Sequence, residues 1–193
     1  MALEPAEVVR LLDDPAAAAA WGRAAGLSDP EAAHRSLVGL SAHGLTLDLL
    51  ASLATALARL LPGVSDPDRV LVAVERFTGA VRSPLSTATL FERDPAALET
   101  LLKIFSASPH LAELVIADPE SWEEIRVGQG RPEKKDSRAA ALRAEMVVAG
   151  DPEAAMRTLR RFKRRETLLS PMATSSAGSV SRPSSRRSRT WPT

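Results

Sequence analysis

Apolar residues along this chain return every third or fourth position, with little sustained alternation of period two. Leu98, Leu101, Leu102 and Phe105 follow one another in this way, and Val70, Val72, Val74 and Phe77 are read as a second helical face. Between such runs stands a repeated punctuation of Asp followed by Pro, at Asp14-Pro15, Asp29-Pro30, Asp66-Pro67, Asp94-Pro95, Asp118-Pro119 and Asp151-Pro152. Each pair suits a helix start. The carboxylate accepts a free N–H of the first turn, and proline at the first helical position gives up a donor the helix would not have used. The pattern predicts helices at roughly 4–12, 15–25, 30–41, 45–61, 67–80, 84–92, 95–106, 108–117, 119–126, 136–149 and 152–168. With no tyrosine and few aromatics, a sheet of any size is not expected. The fold class expected is therefore all-α. The Asp-Pro pairs are unevenly spaced, whereas a solenoid repeats at one period, so an irregular bundle or array is predicted.

Two breaks divide the pattern. The stretch VGQGRPEKKD from Val127 to Asp136 combines glycines, a proline and a charge cluster, which marks a linker. From Ser170 the chain turns to serine and arginine with no apolar periodicity, and a segment with nothing to bury cannot offset the entropy of ordering. The expected organisation is a helical domain over 1–126, a linker over 127–135, a further helical segment over 136–168 and a disordered tail over 169–193.

Charge sharpens this division. The 193 residues carry a formal charge of +1, with 45% hydrophobic and 25% charged residues, an ordinary globular composition. Residues 167–193 contain Arg182, Arg186, Arg187 and Arg189 and no acid, which leaves 21 bases against 24 acids in the first 166 residues. The body is mildly acidic and the tail basic. The absence of cysteine excludes disulfides and thiolate chemistry. The acidic, amphipathic N-terminus lacks the basic flank and apolar run of a secretory signal, so a cytoplasmic location is expected. The apolar stretch Leu45 to Leu61 is broken by Asp48 and Arg59 and is too short for a membrane span, so it is read as a core helix.

Candidate chemistry is sparse. His34, His43 and His110 have no second ligand at metal-binding spacing, and Gly178 lies in a string without the strand, lysine or acid of a phosphate loop. Paired acids such as Asp13-Asp14 and Glu123-Glu124 stand near helix ends, where carboxylates complement the helix dipole. The basic run Arg157, Arg160, Arg161, Lys163, Arg164 and Arg165 lies on one predicted helix. It reads either as a surface for an anionic partner, nucleic acid or an acidic protein surface, or as a solvated helix C-terminus, where cations are favourable. Nucleic acid is a poor fit, because Phe162 is the lone aromatic nearby and is expected to face the core. The candidate partner contacts are Arg160, Arg161, Lys163 and Arg164, and no catalytic, cofactor or metal residue is assigned.

Two segments carry a resemblance. FERDPAALETLLKIFSASPHLAELVIADPESWEEIR, from Phe91 to Arg126, is similar to the part that precedes the catalytic domain in bifunctional glutamine synthetase adenylyltransferase/adenylyl-removing enzymes. LRRFKRRE, from Leu159 to Glu166, resembles the basic helix that leads towards the nucleotidyltransferase domain of that family. The first ninety residues match only in being helical. The resemblance implies an enzyme that moves AMP from ATP to and from glutamine synthetase, with magnesium held by carboxylates after a Gly-Ser motif. Gly178-Ser179 has no Asp-x-Asp downstream and no acid follows Glu166, so ATP and magnesium belong to the intact family and no catalytic residue carries over.

The family's next run, like Ile-Ala-x-x-Asp-Ile, is missing after Leu168. A shifted reading frame accounts for this. Joining the last base of each codon to the first two of the next forces glycine at Met172-Ala173 and alanine at Trp191-Pro192. Around these points the same frame permits Ile-Ala-Tyr-Gly-Asp-Ile-Val and Ile-Ser-Tyr-Leu-Ala-Asp, both family-like. The expectation is a truncated, frame-shifted, non-catalytic helical fragment whose intact parent meets glutamine synthetase. The alternative is a helical adaptor whose basic tail binds an anionic partner.

Overall fold

The computed structural model describes residues 2–120 together with Trp122, Arg126 and Lys163. The described residues form eight α-helices and no strand, so the fold is all-α. They are α1 (Pro5–Asp13), α2 (Pro15–Ala24), α3 (Pro30–Ala42), α4 (Leu47–Leu60), α5 (Pro67–Ala80), α6 (Pro84–Arg93), α7 (Pro95–Ala107) and α8 (Pro109–Ala117), with a 3-10 turn at Leu61–Gly63 after α4. Pro119, Glu120, Trp122 and Arg126 are also helical, in the region where a helix over 119–126 is predicted. The expected linker, the helix over 136–149, most of the one over 152–168 and the tail lie outside the described residues.

Proline is the constant feature of these helix starts, occupying the first position of every helix except α4. The cap before it varies. Asp14, Asp29 and Asp66 accept first-turn N–H groups as expected, and Ser83 and Ser108 do the same with hydroxyls. Asp94 accepts none, and its carboxylate instead faces Arg126 at 3.6 Å. Thr46 caps α4 by accepting the Leu49 N–H. Two helices end on glycine in the left-handed region, Gly26 at φ 80° and Gly44 at φ 81°. After α2, Leu27 N–H reaches Gly22 O and Gly26 N–H reaches Arg23 O, the paired bonds that satisfy the last carbonyls of a helix.

The chain doubles back on itself. α2 packs along α3, α4 returns to α1, α5 lies against α3, and α6 against α4, while α7 and α8 close over α5. One core runs through all eight helices, with Leu37, Leu40, Leu50, Leu57, Leu71, Phe77, Leu98, Leu101, Leu102 and Phe105 among its most deeply buried side chains. At one end Phe77 sits edge-on to Phe105 and to Trp122, with centroids 6.0 and 5.7 Å apart, and Trp122 also meets Phe91 at 5.7 Å. Trp122, 3% exposed, ties the segment after α8 into the same core.

One face differs from expectation. Val70, Val74 and Phe77 are buried, but Val72 is 41% exposed. Each helical residue turns by about 100°, so Val72 lies about 200° round from Val70 and faces away from it. The stretch around α4 is amphipathic, burying Leu50, Leu53 and Leu57 while Asp48 stays exposed. No described helix is long and apolar enough to cross a membrane.

Candidate functional site

Of the four candidate contacts, Lys163 is described: it is helical and exposed. Arg160, Arg161 and Arg164, with Phe162, lie outside the described residues, as do Glu123 and Glu124. Charge is distributed unevenly along the sequence. Residues 1–120 hold 16 acids and 9 bases, whereas residues 121–193 hold 8 acids and 16 bases.

Within the body, five of the nine bases already face an acid. Arg76 on α5 grips Glu113 on α8 through both terminal guanidinium nitrogens, and its Nη2–Oε2 contact measures 2.9 Å. The Arg76 hydrogen bonds hold the Glu113 carboxyl below its ordinary range, and Glu113 in turn raises Arg76. Arg82 reaches Glu120 at 2.8 Å, and Lys103 reaches Glu99 at 2.7 Å within α7. Arg69 faces its own cap Asp66 and donates to Phe105 O and Ser106 O, covering the end of α7. Arg35 faces Asp29 at 3.3 Å. Of these pairs Arg76–Glu113 joins two helices, and exposed pairs of this kind add little net stability in water.

Two further links are made over long sequence distance. Asp68, in the first turn of α5, accepts Ser28 N–H at 2.8 Å and Asp29 N–H at 2.9 Å, fastening the α2–α3 loop. Burial pushes this carboxyl up, but the Asp29 and Ser28 N–H groups outweigh it and hold the group below its ordinary value of 3.8. The second link joins α3 to α5 reciprocally. His43 Nε2 lies 3.1 Å from Glu75 Oε1. The imidazole covers Gly79, where an added Cβ would meet it at 2.6 Å, and the Glu75 carboxylate covers Gly39, where an added Cβ would meet it at 2.8 Å. α5 thus supplies Glu75 and Gly79, and α3 with its C-terminal cap supplies Gly39 and His43, each pair four residues apart. Sequence spacing within a single helix gives no sign of this pair. Of the other histidines, His34 Nε2 is 2.8 Å from Leu12 O.

A magnesium–nucleotide site needs convergent carboxylates. Among the described residues no three of His, Asp and Glu stand together as a metal-holding group, so these residues do not fit one. A shallow cleft of about 280 Å3 opens between the N-terminal segment and α4, lined by Ala2, Leu3, Pro5, Asp48, Ala51, Ser52 and Thr55. Among the described residues, Asp48 is the one ionisable side chain lining this cleft.

The family model for glutamate-ammonia ligase adenylyltransferase matches residues 98–182. That match begins inside α7 and continues past Leu168, where the break in sequence is expected. A bifunctional glutamine synthetase adenylyltransferase/adenylyl-removing enzyme from Xanthomonas oryzae pv. oryzae (strain MAFF 311018) is 32% identical over 158 residues, covering 75% of this chain and 16% of its own. The enzyme of the same description from Xanthomonas axonopodis pv. citri (strain 306) is 31% identical over 147 residues, covering 69% of this chain and 15% of its own. The chain thus spans about a sixth of the length of these relatives. Three quarters of 193 residues is about 145, so a continuous match of that extent starts no later than about residue 49. The similarity to that relative therefore takes in residues before Phe91, where only helical character is read from the sequence. No solved structure matches the chain.

Proposed function

Because the chain belongs to the glutamate-ammonia ligase adenylyltransferase family, we propose that it supplies the non-catalytic helical part of such an enzyme and takes part in AMP transfer by docking. The observation that carries this reading is the family match over 98–182, which is continuous with the helical core through Leu98, Leu101, Phe105 and Trp122. No acid follows Glu166, so no residue here is assigned to magnesium or ATP. Glutamine synthetase is the proposed partner, and Arg160, Arg161, Lys163 and Arg164 are the proposed contacts. Reversing these four to Glu in the full chain is expected to weaken capture of glutamine synthetase at least tenfold while leaving the melting temperature within a few degrees. Unchanged capture would remove the basic helix from the interface.

From about Leu168 we read the sequence as translated out of frame, on the strength of the two family-like runs that one alternative frame permits. A second reading is favoured by the charge distribution, with twice as many bases as acids after residue 120. On that reading the chain is a helical adaptor whose tail binds an anionic partner. Affinity would then fall steeply with added salt, and deletion of 170–193 would abolish it. Binding that survives the deletion rules this second reading out.

A further inference from the structure

No further inference is drawn: the strongest candidate, the shallow cleft between residues 2–5 and α4, has its Thr55 hydroxyl already taken by the Leu3 N–H at 2.8 Å and no buried polar side chain lining it, so nothing in the structure shows what would occupy it.

Discussion

Asp68 shows how one carboxylate can hold two distant segments together. Its two oxygens each take a backbone N–H from the α2–α3 loop, and an amide could offer only one acceptor. Asp68→Asn is therefore expected to cost about 1–2 kcal/mol in chemical denaturation, since a charge-assisted bond is lost and an N–H is left facing an NH2 group. The pH dependence follows in sign. The folded carboxyl sits below 3.8, so its contribution is complete above that value and is lost as pH falls through the lower folded one. Wild type should lose stability across that acid window, and Asp68→Asn should lose less. Equal acid slopes for the two would mean that this carboxylate does not hold the loop. Much at this scale was legible, because caps are local: Asp14, Asp29 and Asp66 bond N–H groups two or three residues away. Asp68 and Ser28 are 40 residues apart and His43 and Glu75 are 32 apart, separations at which spacing carries no information.

The placement of the helices was readable from their periodicity and, at α2, α3, α5 and α7, from the Asp-Pro pair at the start, and their ends shift from expectation by only a residue or two. How they pair was not readable. α2 and α3 approach closely because Gly22 has no side chain: a Cβ there would meet Ala33 Cβ at 2.9 Å, Leu27 Cδ1 at 3.1 Å and the Pro30 backbone at 3.4 Å. Alanine would gain helix propensity of about 0.5–1 kcal/mol, but overpacking against such neighbours costs about 1–3 kcal/mol. Gly22→Ala is expected to lower the thermal midpoint. A raised midpoint would show that the two helices can move apart freely. Val72 teaches the complementary lesson, since valines at alternate positions look like one apolar face only until the helical turn is applied to them.

For the molecule as a whole, the described helices share one core that reaches Trp122, and the family match begins within that core at Leu98. The all-α class was legible from periodicity, and the family from the segments at Phe91–Arg126 and Leu159–Glu166. The reach of the similarity before Phe91 was not, because nothing but helical periodicity was read there. Sequencing the DNA across codons 165–193 should reveal Ile-Ala-x-Gly-Asp and Ser-x-Leu-Ala-Asp in the alternative frame. A stop codon in that frame within those codons would make the serine- and arginine-rich tail genuine.

Docking without catalysis is tested by mixing the purified full chain with glutamine synthetase, magnesium and ATP labelled in its α-phosphate. The expected result is a complex of the two proteins with no label transferred to glutamine synthetase. Label appearing on glutamine synthetase in proportion to the added chain would contradict it, and so would the absence of any complex.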